Sequence, residues 1–169
     1  MSGEDNETMS AGGEGAAVRP SAVPWPPILL VSLAGLAILM GRLQPFSWPG
    51  VDDTAARAVG LGIGAIGIAL AVWAAVTMHR ARTTVMPHKG ASKLVTSGPF
   101  HRFRNPIYIG DVMILLGIAE ATKNIWFVIA ALLFVPLVTW LAILPEERHL
   151  AAKFGAEWEA YKARSRRWL

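Results

Sequence analysis

Thr122-Lys123-Asn124 followed by IWFVIAALLFVPLVTWLAIL at residues 125–144 is the stretch that decides the fold. Those 20 residues carry no charge, enough for one helix to cross a hydrocarbon core about 30 Å thick. Just upstream, Pro106 opens another apolar run, Ile107 to Ala119, which contains Asp111 and is followed by Glu120. The polar turn between the two runs is short enough to force an antiparallel helical hairpin. The residues before Ile107 and those after Leu144 are therefore expected to meet at one membrane surface.

Two more apolar blocks lie further out. Ala58 to Met78 is free of charge, and its Gly60 and Gly64 form a small-xxx-small pair with Gly67 near the same face, a pattern for close helix packing. Trp25 to Met40 is interrupted only by Ser32 and Gly35, is marginal in length for a span, and follows prolines suited to a helix start. Residues 1–23 are rich in Gly, Ser and Ala and acidic, which predicts a disordered tail that is retained, since a signal peptide starts basic. In Pro145 to Leu169, Leu150, Phe154, Trp158 and Tyr161 recur at i, i+4, i+8 and i+11, one face of a helix. The expected organisation is a tail (1–23), two transmembrane helices (24–82), and a core of basic connector, hairpin and amphipathic C-terminal segment (83–169). The fold class is an all-α integral membrane bundle of about four transmembrane helices with a cytoplasmic amphipathic helix.

Composition agrees. Of 169 residues, 53% are hydrophobic and 17% charged, where soluble domains have roughly 25% charged residues. The absence of cysteine excludes disulfides, thiolate nucleophiles, Cys-ligated zinc and iron–sulfur clusters, and no metal site is expected. The net charge of +4 comes from basic residues flanking the apolar blocks, which fits anionic headgroups and argues against nucleic acid. Lys and Arg concentrate in the connector after the second block and in the C-terminal tail, while Arg42, Arg57 and Lys123 serve the opposite loops. That asymmetry predicts four spans in the cell (inner) membrane with both termini cytoplasmic.

The hairpin would juxtapose GPFHRFRNPIYIG (98–110) with EERHL (146–150). An arginine cluster, an amide, a phenol and paired carboxylates can hold a zwitterionic ligand through charge-assisted hydrogen bonds. Apolar helices around them would exclude water and receive a lipophilic partner. Each residue also has a plainer reading. Glu146 and Glu147 suit the solvated first turn of a helix near its positive dipole end. Arg102 and Arg104 suit headgroup anchors, Pro106 a helix start, and Tyr108 an interfacial aromatic. The C-terminal stripe suits packing or interfacial docking, with a lid over the site as the second possibility. Asp111 is costly in an apolar helix unless it faces a polar cavity.

Leu94-Val95-Thr96-Ser97-Gly98-Pro99-Phe100, Arg104-Asn105-Pro106-Ile107-Tyr108-Ile109-Gly110, Glu146-Glu147 and the Phe154-Gly155…Tyr161 spacing resemble the isoprenylcysteine carboxyl methyltransferase family. Phospholipid methyltransferases share a related arrangement. The resemblance covers about residues 83–169, in matching order, and Thr83 to His88 is similar to bacterial members. It implies an integral membrane enzyme that transfers a methyl group from S-adenosylmethionine to a lipophilic small molecule or lipid-modified substrate arriving from the membrane lipids. It also implies cofactor binding by Arg104, Asn105, Pro106, Tyr108, Gly110, Glu146 and Glu147, with Arg104 and Glu147 as catalytic candidates; Asp111 joins them on its own account, as an acid in an apolar helix. Asn105 stands where the family usually has His, and an amide cannot titrate. At Asp111 an apolar residue is commoner.

On this reading Glu146 or Glu147 holds the cofactor's ammonium or an arginine, Arg104 pairs with its carboxylate, and Tyr108 lines the pocket. A carboxylate acceptor needs orientation more than acid–base help; an amine acceptor needs a base, for which Glu147 and Asp111 are candidates. Two other classes compete. One is a non-catalytic membrane module binding haem, through His79 and another histidine, or lipid. The other is a structural helix bundle associating through Gly60 and Gly64.

Overall fold

The computed structural model describes residues 24–81 and 93–169. The expected N-terminal tail and most of the connector, including Thr83 to His88, lie outside the described residues. Within them the chain is an all-α membrane bundle: α1 (Trp25–Leu43), α2 (Thr54–Arg80), α3 (Pro106–Thr122), α4 (Ile125–Val138), a π-helical turn (Thr139–Ile143), α5 (Leu144–Phe154) and α6 (Ala156–Arg164). A short 3₁₀ turn, Gly98–His101, precedes α3.

The helix ends follow from local chemistry. Asp53 caps α2, its Oδ1 accepting from the Ala56 amide at 2.7 Å. Lys123 takes the left-handed conformation (φ 53°) that turns the hairpin, and Asn124 caps α4 by accepting from the Trp126 amide at 3.0 Å. α1 runs three residues past its apolar block at the C-terminal end, and α2 runs past its block by up to about a turn at each end.

Among the described residues three helices are long and apolar enough to cross a membrane: Trp25–Leu43, Thr54–Arg80 and the continuous Ile125–Phe154. α3 has 17 residues, includes Asp111 and Glu120, and falls short of that standard. It is enclosed instead, between α2 and α4. A Cβ on Gly67 would lie 2.7 Å from the Gly110 carbonyl oxygen, and one on Gly117 would lie 2.6 Å from the Gly64 Cα. Gly60 faces the Glu120 side chain. The Gly60-Gly64-Gly67 row is thus used inside the chain, where it lets the α2 and α3 backbones touch.

On the other flank α1 packs antiparallel to α4, with the Asn124 amide donating to the Ala37 carbonyl at 3.0 Å and the Trp126 indole to the Gln44 carbonyl at 2.9 Å. Phe134, Leu115, Ile143 and Val138 fill the centre and are fully buried. The bundle has two ends. One holds the α1–α2 loop and the hairpin turn; the other holds the start of α1, the loop before α3 and everything after Leu144.

The C-terminal segment departs from expectation. Gly155 (φ +50°) breaks it into α5 and α6, so the stripe is not one continuous helix face. Its residues still converge: Leu150, Phe154, Trp158 and Tyr161 pack together around Leu94. The glycine, which carries no Cβ, lets the two short helices fold around that residue.

A side chain at the α2–α3 crossing has backbone in its way, so Gly67→Val should cost at least about 1–3 kcal/mol through overpacking. Gly35→Ala, in open space, should be neutral or mildly stabilising. Thermal melts of the two variants in the same detergent check the contrast.

Candidate functional site

The hairpin brings its two ends together. Arg104 Nε donates to Glu147 Oε1 at 3.2 Å across 43 residues of chain, and the two side chains are 10% and 13% exposed. Arg104 Nη1 donates to the Ser165 carbonyl at 2.6 Å and to the Lys162 carbonyl at 3.1 Å, so the end of α6 is fastened to the same guanidinium. Arg167 completes the group from the C-terminal side. Its Nε donates to Glu147 Oε1 at 3.0 Å and its Nη2 to Oε2 at 2.5 Å. One carboxylate between two guanidinium groups leaves a net positive charge.

Backbone pairing holds this arrangement in place. The Arg104 amide donates to the Arg166 carbonyl at 2.7 Å, and the Arg166 amide to the Arg102 carbonyl at 2.8 Å, a parallel bridge between the loop before α3 and the strap after α6. Asn105 Nδ2 donates to the Arg167 carbonyl at 2.9 Å. Below the strap, the buried Tyr161 hydroxyl donates to the Phe100 carbonyl at 2.7 Å, and Ser165 Oγ donates to the Tyr161 carbonyl at 2.7 Å. Burial pushes the Tyr161 phenol up to about 12, outweighing the downward pull of Ser165, Arg104 and Arg164.

A cavity of about 90 Å³ lies beside this cluster, with its open cleft reaching about 740 Å³. Arg104, Asn105, Pro106, Tyr108, Glu146 and Glu147 all line it, together with Leu94, Phe100, Leu150, Trp158 and Tyr161. Six of the sequence-predicted positions therefore surround one hollow. Gly110 and Asp111 do not line it. Gly110 is at the α2–α3 crossing, where a Cβ would lie 2.6 Å from the Gly67 carbonyl oxygen, and Asp111 is half-buried on α3.

Two plainer readings are decided here. α5 continues directly from the π-helical turn with helical backbone at Ile143 and Leu144, so Glu146 and Glu147 do not occupy a free helix N-terminus. The C-terminal stripe packs on Leu94 and walls the cavity. Sequence reading missed Arg167 and Ser165. The only signal was a basic tail, which orientation rules account for without any site. Among the described residues no group of three or more His, Asp or Glu converges in a way that could hold a metal ion.

Comparison with known proteins bears on this geometry. Residues 55–157 match the family model described as phospholipid methyltransferase. The chain belongs to that family. The matched region runs from the start of α2 into α6 and includes both acids and both hairpin helices, while the strap after Arg164 falls outside it. A phospholipid methyltransferase family assignment also agrees with the lipid-facing apolar surface of α1 and α2, where Val31, Val59, Ile66 and Trp73 are exposed. A nickel-cobalt-cadmium resistance protein from Alcaligenes xylosoxydans xylosoxydans is 28% identical over 142 residues, covering 81% of this chain and 59% of its own length. The chain therefore spans less than two thirds of that relative. No solved structure matches.

Tyr161 supports both strap and cavity wall, and Tyr161→Phe should cost about 1–3 kcal/mol by orphaning the Phe100 carbonyl. Its phenol keeps its proton to about pH 12 in the folded chain against 10.0 when unperturbed. The contribution is therefore complete below pH 10 and declines as pH rises towards 12. Melting curves across that range should show a loss that the Phe variant lacks.

Proposed function

We propose that this chain is a membrane methyltransferase that takes a methyl group from S-adenosylmethionine and delivers it to a lipophilic acceptor entering laterally from the bilayer. The observation that carries the reading is the Arg104–Glu147 pairing of the two hairpin ends beside a cavity that Glu146 also lines, in a chain of a methyltransferase family. The residues fit the cofactor. Arg104 and Arg167 leave one positive charge for a carboxylate, Glu146 offers a carboxylate to an ammonium, and Tyr108, Phe100, Trp158 and Leu150 provide apolar walls. A molecule of this size would occupy the cavity together with the open cleft that continues from it.

When bound, S-adenosylmethionine supplies an electrophilic methyl carbon on a sulfonium. The chain's own contribution is orientation and exclusion of water. Glu147 is committed to two arginines and serves as their scaffold, so the ammonium falls to Glu146. Asn105, whose amide donates to the Arg167 carbonyl, secures the strap and moves no proton. A carboxylate acceptor requires no base. An amine acceptor requires one, and with Glu147 committed to the arginines and Glu146 to the ammonium, no other carboxylate among the described residues lines the cavity. The base would then be Asp111, which lies about one turn beyond Tyr108 on α3, outside the cavity lining, and would act through a water.

The basic end of the bundle, which holds the cavity, faces the cytoplasm on this reading, as the Lys and Arg asymmetry requires. The alternative of a bundle assembling through Gly60 and Gly64 loses its support, because those glycines pack against α3 of the same chain.

Calorimetry in detergent tests the proposal. The wild type should bind S-adenosylmethionine and S-adenosylhomocysteine, and Arg104→Ala or Glu146→Gln should each weaken binding at least about tenfold, the equivalent of one charge-assisted hydrogen bond. Absence of wild-type binding would reject the reading. Labelled methyl groups transferred into a lipid extract should then be released by alkali from an ester and retained on an amine.

A further inference from the structure

Arg167 lies beyond the family match and beyond every residue run that carries the resemblance, yet it makes a two-pronged ion pair with Glu147. A strap delivers it there. The Arg166 backbone pairs with Arg102 and Arg104, Asn105 holds the Arg167 carbonyl, and Trp168 packs against the bundle core. The Arg167 side chain is 38% exposed and does not line the cavity, whereas Glu147 and Arg104 do. It therefore stands behind Glu147, on the solvent side.

From there it controls two properties of the site. The first is geometry: Arg104 reaches Glu147 through a single 3.2 Å contact to Oε1, so the orientation of that carboxylate depends on the fork that grips both its oxygens. The second is charge: without Arg167, Glu147 neutralises Arg104 one for one and nothing is left over for an anion. We propose that Arg167 is a positioning residue of the cofactor site, acting through Glu147 to aim Arg104 and to supply the surplus positive charge. This rests on the methyl-donor reading.

The test is a double-mutant cycle on the full chain in detergent, with S-adenosylhomocysteine as the probe and thermal melts alongside. Arg167→Gln should weaken binding about tenfold, and Arg167→Lys, which keeps the charge but loses the fork, should recover part of it. In a Glu147→Gln background the same Arg167→Gln change should add less than about twofold, because its effect passes through the carboxylate. Arg166→Ala, which removes an exposed neighbouring charge, should stay within about twofold of wild type.

Binding by Arg167→Gln equal to wild type would overturn the proposal, and so would an equal loss in both backgrounds, the mark of a merely structural strap. Where Arg167→Gln fails to fold, Arg167→Lys in the two backgrounds completes the cycle. A wild-type chain that binds neither donor nor product removes the methyltransferase reading and this role with it. Wild-type binding that survives Arg167→Gln removes this role alone.

Discussion

A single carboxylate ties the cavity-bearing end of this molecule together. Glu147, at the continuation of α4, receives Arg104 from the loop before α3 and Arg167 from the strap after α6. Three segments thus share one ionic junction, in which Arg104 and Glu147 are largely withdrawn from water while Arg167 closes it on the solvent side. Desolvating such a group is costly, and the cost is offset only where geometry is good and further hydrogen bonds are satisfied. Both conditions hold here: Arg167 is bidentate, and Arg104 also donates to two backbone carbonyls. The cavity lies against this junction and inherits its positive surplus.

The junction could not form unless α3 were held at the right height. α3 carries Asp111 and Glu120, and lipid alone would not accommodate it comfortably. Glycine contacts with α2 shelter it, and the far end is fixed by Lys123, which pairs with Glu120 and Asp52 and lies over the Trp48 ring. Anchored at that end and close-packed along its length, α3 presents Arg104, Asn105 and Pro106 at the opposite surface. Packing and chemistry are therefore one problem in this fold: the crossing at Gly67 and Gly110 fixes where Tyr108 enters the cavity wall.

Much of this was legible in the residues. The polar turn at 122–124 dictates a hairpin, and a hairpin dictates that Arg104 and Glu147 approach each other. The Gly60-Gly64-Gly67 row announced a close crossing, though not its partner. Gly110 shows the limit of motif reading, because a glycine within the same run as Arg104 and Tyr108 serves a backbone contact and does not line the cavity. Arg167 shows another. A cation in a basic tail has no periodicity or spacing to mark it, and its role comes from a backbone bridge that pairs two irregular segments. Gly155 was visible as a residue, but the amphipathic pattern continues across it and so concealed the break.

The π-helical turn at Thr139–Ile143 has the widest consequence. Pro136, one turn earlier, cannot donate to the helical ladder, and Thr139 Oγ1 bonds back to the Val135 carbonyl at 2.6 Å, so the helix is already loosened there. One surplus residue in the turn rotates everything downstream by about 100°. In an unbroken helix Glu147 would fall within about 40° of Leu133, a residue exposed on the bundle's apolar surface. The bulge swings it inward instead. The cavity-bearing end of this protein thus depends on helical phase as well as on side-chain identity: deleting one residue from the turn would leave every acid and base unchanged in kind while pointing the carboxylates at the wrong neighbours.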